Sequence, residues 1–169
     1  MSLRELLEQE HSKKQCDRIV KLIGANEDRF RELLALFFSG EYRITQRAAW
    51  PLSYCVKRHP EWILPHFKTL LDNLDRKDLH SSVARNTLRI LQFVDIPKRF
   101  HGRVMNTAFS LIESPDTPIA IKAFSLTVLE RLSSLYPDIL GELRLIIGQQ
   151  WAQATPAFRS RAKKILGKP

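Results

Sequence analysis

The stretch QRAAWPLSY, residues 46–54, has the pattern of a helix and carries an arginine beside two alanines. A second stretch, ARNTLRIL at residues 84–91, places Arg85 at the point that corresponds to Arg47. The distance between the two arginines is 38 residues, which is long enough for a helix, a turn and a second helix. The sequence therefore indicates that one kind of helix is built twice, with its basic residue in phase.

The repetition continues along the rest of the chain. Lys122 and Arg161 extend the series, so that successive basic residues lie 38, 37 and 39 positions apart. Prolines that suit the first position of a helix independently give spacings of 37 and 40, and they are Pro60, Pro97 and Pro137. A period near 38 made of two helices is typical of an α-solenoid, whose units stack because none can bury its apolar face alone.

Helical periodicity is nearly continuous, and strand signals are almost absent. In PEWILPHFKTLLDNL, for example, Ile63, Phe67 and Leu70 recur on one stripe, whereas no stretch alternates with a period of two or carries an Asn-Gly turn. Short polar or proline-containing breaks separate these segments. The pattern predicts ten helices, at 2–10, 12–24, 27–38, 41–58, 60–74, 79–95, 97–113, 118–136, 137–152 and 156–166.

The segment RITQRAAWPLSYCVKRHPEWILPHFKTLLDNL, from Arg43, resembles the inner helix of one HEAT unit followed by the outer helix of the next. The chain is also similar to small bacterial HEAT-like proteins. This resemblance implies an all-α fold, a right-handed α-α superhelix of the HEAT or armadillo kind. It implies a single domain over 1–169, in which an N-terminal helical cap precedes about four two-helix repeats, at 27–58, 60–95, 97–136 and 137–166.

The net charge of +9 is concentrated on alternate helices. In HEAT solenoids the inner helices, here 12–24, 41–58, 79–95, 118–136 and 156–166, would line the concave face. This inner set holds sixteen basic and four acidic residues, whereas the outer set holds eight basic and eleven acidic ones. The sequence therefore predicts a basic concave surface, and such a surface suits an acidic partner.

The helix at 41–58 shows how this surface is separated from the core. At 100° per residue, one stripe is apolar and faces the core, namely Ile44, Ala48, Leu52 and Cys55. A different face carries basic and aromatic residues, namely Arg43, Arg47, Trp50, Tyr54, Lys57 and Arg58. Pro51 removes one backbone hydrogen bond and crowds the carbonyl of Arg47, so we expect a bend there.

The basic and aromatic positions allow two interpretations. They can bind a partner, or they can bridge neighbouring repeats, and both can hold at once. The residues predicted to bind a partner are Arg43, Arg47, Trp50, Tyr54, Arg85, Arg89 and Lys122. An acidic protein or peptide segment is the favoured partner, because solenoids present extended grooves to other proteins. Nucleic acid is the alternative, since cations neutralise phosphates and an aromatic ring can stack on a base.

The sequence favours a protein without catalytic activity, cofactor or metal. Its five histidines show no ligand spacing and are expected at the surface or at helix ends, and no glycine-rich phosphate loop occurs. Some HEAT-like bacterial proteins are alkylpurine DNA glycosylases, and that resemblance implies Glu41, Asp95 and Glu130 as candidate acids, although these lie on three helices. Glycosylase activity is therefore the less favoured alternative.

The location is predicted from the cysteines and from the N-terminal residues. Cys16 and Cys55 are far apart in sequence and each falls within a helical pattern, which is neither a disulfide framework nor a metal motif. The first residues, MSLRELLEQEHSKK, are too charged for a signal peptide, and no apolar run is long enough to span a membrane. The sequence therefore predicts a cytoplasmic protein with small, buried thiols.

Overall fold

The fold is all-α, as predicted, in a computed structural model that describes residues 1–78 and 80–169. No strand occurs among those residues. The helices are α1 Leu3–Gln9, α2 Lys13–Ile23, α3 Glu27–Phe38, α4 Tyr42–Arg58, α5 Phe67–Leu74, α6 Ser81–Leu91, α7 His101–Glu113, α8 Ile119–Ser133, α9 Ile139–Gln150 and α10 Pro156–Leu166. Three 3-10 segments accompany them, at Pro60–His66, Lys98–Phe100 and Trp151–Gln153.

Side-chain caps explain where several helices begin. Ser2, Ser12, Asn26 and Thr155 each accept a hydrogen bond from a backbone N–H in the first turn that follows. Such a bond satisfies one of the four donors that a helix leaves unpaired at its start. The ten predicted helices correspond to α1–α10. The predicted start of the sixth, at residue 79, lies outside the described residues.

The helix-opening prolines behave differently from the prediction at two of three positions. Pro60 does occupy the first turn of its 3-10 segment. Pro97 instead precedes its segment, because its ψ of 136° is extended, and Pro137 lies in a turn before α9. Proline is tolerated at all three places for the same reason, since none of them requires a backbone N–H inside a helix.

The chain divides into two compact units, and unit 1 comprises Met1–Asp95. In unit 1, α4 contacts α2 on one side and α6 on the other, while α3 packs against α4 and α5 against α6. The predicted core stripe of α4 is buried throughout, with Ile44, Ala48, Leu52 and Cys55 at most 3% exposed. Within this unit the prediction that alternate helices stack is therefore confirmed.

Unit 2 comprises Ile96–Pro169 and repeats the arrangement. Here α7 packs against α8, α9 packs against α10, and α8 contacts α10. Its core is built from aliphatic side chains of all four helices together with the aromatic ring of Phe158 in α10. Each unit thus consists of helix pairs whose second members stack on one another. That the chain forms one domain remains a prediction.

Candidate functional site

The α4 stripe, which we define as Arg43, Arg47, Trp50 and Tyr54, contains four of the predicted partner-binding residues. Spacings of four, three and four residues put them on one side of the helix. Arg43 is exposed, whereas the other three are half-buried. The structure thus brings these residues together on one face, but it does not leave all of them open to a partner.

Arg47 is bonded within the protein. Its guanidinium Nη1 donates hydrogen bonds to the backbone carbonyls of Leu7, at 2.8 Å, and Glu8, at 2.9 Å. These carbonyls lie in the last turn of α1, where a helix has unpaired acceptors and a negative dipole end. The last turn of α1 contains no basic residue of its own. Arg47 therefore supplies the missing positive charge and holds α1 against α4.

The two aromatic residues of the stripe contact the segment that follows α1. The ring of Trp50 lies 5.7 Å from that of His11, and Lys13 Nζ lies 5.0 Å from the centre of the Tyr54 ring. Lys13 also pairs with Asp17 one turn further along α2. From Arg47 to Tyr54, the stripe therefore runs beside the junction of α1 and α2.

A second contact fixes the start of α4 to α1. The guanidinium of Arg4 donates to both carboxylate oxygens of Glu41, at 3.0 and 2.5 Å, and Arg4 also pairs with Glu8. The bonds from Arg4 lower the pKa of the Glu41 carboxyl below its ordinary value. Helix α1 is thus attached to the α4 region at two places, through Arg4 and through Arg47.

Replacing Arg47 with glutamine should destabilise the fold. The change leaves the carbonyls of Leu7 and Glu8 without their charged donor, and hydrogen bonds to charged groups contribute about 1.5–3 kcal/mol. We expect a loss of this size in the free energy of unfolding, measured by urea denaturation. Arg43→Gln, on the same stripe but exposed, is the matched control and should change stability little. Equal effects of the two substitutions would contradict the anchoring role of Arg47.

On α6, Arg85 and Arg89 occupy one side of the helix, four residues apart. Arg85 is exposed and Arg89 is half-buried. Helix α6, which carries both arginines, contacts α4, and α4 in turn contacts α2. We use the name basic face of unit 1 for Lys13, the α4 stripe, Arg85 and Arg89, which belong to the three helices α2, α4 and α6.

Ion pairs are distributed unevenly between the two sets of helices in unit 1. The basic residues of α1, α3, α5 and the turn after α5 are mostly paired with acids, and the pairs are Arg4 with Glu8 and Glu41, Arg31 with Glu27 and Asp28, Lys68 with Asp72, and Arg76 with Asp78. On α2, α4 and α6, the described residues form one ion pair, between Lys13 and Asp17. The positive charge of Arg43 and Arg85 therefore has no partner in the described part of unit 1.

Lys122 lies in unit 2, and its position in its helix differs from that of Arg47. The buried residues Ile121, Ser125, Leu129 and Leu132 of α8 match the core stripe of α4 with an offset of 77 residues. With that offset Lys122 corresponds to Thr45, not to Arg47 as the spacing of basic residues predicts. Its side chain accordingly lines a cleft beside the N-terminus of α8.

The two cysteines are buried and free, as predicted, in contacting helices α2 and α4. Burial raises the pKa of the Cys16 thiol to about 11, although the positive charges of Lys13 and Arg89 lower it in part. Burial likewise raises the pKa of the Cys55 thiol to about 11. Because the thiolate is the reactive form, both side chains are poor nucleophiles at neutral pH.

Two of the three candidate glycosylase acids form ion pairs with basic residues. Glu41 is bound by Arg4, and Glu130 pairs with Lys168 at 3.2 Å. Within residues 1–78 and 80–169, no group of three or more histidine, cysteine, aspartate or glutamate side chains could hold a metal ion. In the same part of the chain, no helix is long and apolar enough to cross a membrane.

The sequence profile of one family, described as a HEAT repeat domain, matches residues 3–169. No curated protein and no solved structure shows significant similarity to the chain. The matched range includes every helix of both units, and the stacked helix pairs within each unit are those that such a repeat produces. The protein belongs to the HEAT repeat domain family.

Proposed function

We propose that this protein is a non-enzymatic binding protein whose basic face holds an acidic segment of a protein partner. HEAT repeats generally mediate protein–protein interaction, and their stacked helices offer extended surfaces for it. Six of the seven predicted partner-binding residues lie on the basic face. The buried thiols support an intracellular, reducing location, because free cysteines persist there.

The distribution of ion pairs is the observation that carries this proposal. Charges on α1, α3 and α5 are largely neutralised within the protein, whereas the cations of α4 and α6 have no acidic partner among the described residues of unit 1. Helix α4 has four basic residues and no acidic one. Unpaired surface charge of one sign attracts a partner of the opposite sign and accelerates its association.

The surroundings of the aromatic residues favour a protein over nucleic acid. Single-stranded nucleic acid is held by aromatic rings on which bases stack, and this requires open ring faces. On the basic face, Trp50 is half-buried beside His11, and the ring of Tyr54 is covered by Lys13. These rings support the packing of α2 on α4. The groups of the basic face that a partner can contact are therefore mainly the positively charged side chains.

Removing the two free charges should weaken binding. We expect the double variant Arg43→Gln/Arg85→Gln to bind a fluorescent oligo-glutamate peptide about tenfold less tightly, since exposed charge pairs contribute up to about 1 kcal/mol each. The matched control is Arg31→Gln/Lys68→Gln, which removes the same charge from helices α3 and α5. The measurement is a titration followed by fluorescence anisotropy, repeated over a range of salt concentrations.

The outcomes separate the candidate partners. Equal weakening by the control variant would show that net charge, and not the basic face, attracts the peptide. A single-stranded oligonucleotide that binds far more tightly than the peptide, with a steep dependence on salt, would identify nucleic acid as the partner, because each neutralised phosphate releases counterions. Absence of binding to either probe at low salt would contradict the proposal.

A further inference from the structure

Unit 2 contains a cleft that the basic face does not include. It lies between the loop that joins α7 to α8 and the loop that joins α9 to α10, and its volume is about 320 Å³. Glu113, Ile119 and Lys122 line one side, whereas Gln150, Thr155 and Phe158 line the other. All of these residues belong to unit 2, so the cleft is complete within that unit.

Unit 1 has a corresponding cleft between its own helix-joining loops. Its lining residues Tyr42 and Thr45 precede Ile119 and Lys122 by 77 positions, and His80 and Val83 precede Thr155 and Phe158 by 75. His80 and Thr155 are both N-caps, of α6 and α10. The two clefts therefore occupy the same position of the repeat.

The same position differs in chemistry between the two units. In unit 1 the rings of Tyr42 and His80 meet edge to face across the cleft, with their centres 4.4 Å apart. In unit 2 these places hold Ile119 and Thr155, which form no such ring pair, and Lys122 replaces Thr45. The unit 2 cleft thus gains an ammonium group where its counterpart has a hydroxyl.

Lys122 is a half-buried cation without an acidic partner among the described residues. Its Nζ donates one long hydrogen bond, 3.4 Å, to Oε1 of Gln150. The amide of Gln150 is fixed because its Nε2 donates to the carbonyl of Ile112 at 2.6 Å. The ammonium is therefore oriented by Gln150, while its other N–H groups remain available to a ligand.

Two further features of the cleft, the Thr155 hydroxyl and the N-terminus of α8, favour the binding of an anion. The Thr155 hydroxyl oxygen accepts from the backbone N–H of Phe158 at 3.3 Å, so its proton remains free to be donated. No side chain caps the N-terminus of α8, where Ile119 lines the cleft, and the positive end of a helix dipole favours an anion. The buried ring of Phe158 provides an apolar wall. Glu113 is the one acidic residue of the lining, and it is exposed.

From this arrangement we infer that the unit 2 cleft binds a carboxylate carried on a short aliphatic chain. The carboxylate contacts the ammonium of Lys122 and the hydroxyl of Thr155, while the carbon chain lies against Phe158. This chemistry has two sources, an acidic side chain of a peptide and a free carboxylic acid. The cleft shares no residue with the basic face of unit 1. An experiment can therefore contradict carboxylate binding in the cleft without contradicting the proposed role of the basic face, and the reverse is also true.

The test is an amide NMR titration of the full chain with three probes. They are a blocked alanine peptide that contains one glutamate, the same peptide with glutamine in its place, and butyrate, which copies the glutamate side chain with its Cα carbon as a free acid. We expect the glutamate peptide or butyrate to shift the signals of the cleft residues, and the glutamine peptide to leave them unchanged. Whichever of the glutamate peptide and butyrate binds more tightly identifies the source of the carboxylate.

Variants of Lys122 test whether its ammonium group is responsible for carboxylate binding. Lys122→Gln should weaken carboxylate binding about tenfold, and Lys122→Arg should restore it, because hydrogen bonds to charged groups are the strong ones. Glu113→Gln removes the one opposing charge at the surface and should strengthen binding about twofold. Binding of the glutamine peptide as tight as that of the tighter acid, full affinity in Lys122→Gln, or no shift with any acid would each overturn the inference. Lys68→Gln, in unit 1, is the control.

Discussion

Between pH 9 and pH 11 the free energy of unfolding should fall by about 2 kcal/mol for each buried thiol, since one unit of pKa corresponds to about 1.4 kcal/mol. Burial raises the pKa of Cys16 and of Cys55 from 9.0 to about 11. In this interval the unfolded chain releases the thiol protons while the folded chain retains them, so rising pH favours the unfolded state. This stabilising contribution is complete below pH 9 and lost above pH 11.

Other groups also titrate in this range. The prediction therefore concerns the part of the pH dependence of the free energy of unfolding that is due to the two thiols. It is measured by urea denaturation of the wild type and of Cys16→Ala/Cys55→Ala at several pH values. The variant should be less stable near neutral pH, because it loses buried sulfur, but its stability should depend less on pH. Parallel pH profiles of the two proteins would contradict the prediction. Because the charge of Cys16 contributes to the pKa of Cys55, the combined loss need not equal the sum of the two.

Reversing the two free charges of the basic face should abolish binding of an acidic peptide. Arg43→Glu/Arg85→Glu replaces two attractive contacts with two repulsive ones, and like charges across an interface cost several kcal/mol, so we expect a loss of about a hundredfold or more. The same variant should gain affinity for an oligo-lysine peptide. The measurement is fluorescence anisotropy with oligo-glutamate and oligo-lysine probes of equal length.

The control for this experiment is Arg31→Glu/Lys68→Glu, which makes the same change in net charge on α3 and α5. It should weaken binding only through the general reduction in charge, and this weakening should disappear as salt is raised. If the control loses as much affinity as the basic-face variant at all salt concentrations, the position of Arg43 and Arg85 is irrelevant. Circular dichroism of both variants should show that each remains helical.

The fold could be predicted because its signal is periodic. The apolar stripe of α4 fixes which side faces the core, and the period near 38 fixes which helices stack, as the contacts of α4 with α2 and α6 confirm. The sequence determines the ends of the helices less well, because each end depends on the conformation of a few residues in one turn. Pro97 and Pro137 fit either the first helical residue or the residue before it, and sequence does not distinguish the two.

The functional role of each basic residue could not be predicted in the same way. Arg47 and Arg85 are equivalent in the repeat, yet Arg47 bonds to carbonyls of α1 and Arg85 is exposed. The difference arises because the N-terminal helix lies beside α4, and that contact joins residues 40 positions apart. Aligning Lys122 by its charge gave the wrong register, because the positions of buried residues, and not of cations, set the phase of α8.

His101 shows the same limit for a polar residue. The sequence predicts histidines at the surface or at helix ends, and His101 is indeed the first residue of α7, but the sequence does not predict that its side chain is buried. One ring nitrogen donates to the carbonyl of Ile96 at 2.7 Å, and the other accepts from the hydroxyl of Tyr136 at 2.9 Å. A histidine can replace an apolar residue when both nitrogens are satisfied, and such partners are supplied by the tertiary fold alone.

The attachment of α1 to α4 has a consequence for how the chain emerges during synthesis. A helix of seven residues is too short to be stable by itself in water, so α1 depends on its docking site. That site includes Arg47, which is added 40 residues after Leu7. Leu3, Leu6 and Leu7 are nearly inaccessible in the folded protein, and their complete docking site therefore exists only after α4 has been synthesised. The N-terminal helix of the folded protein thus acquires its full packing only after helices that are made later.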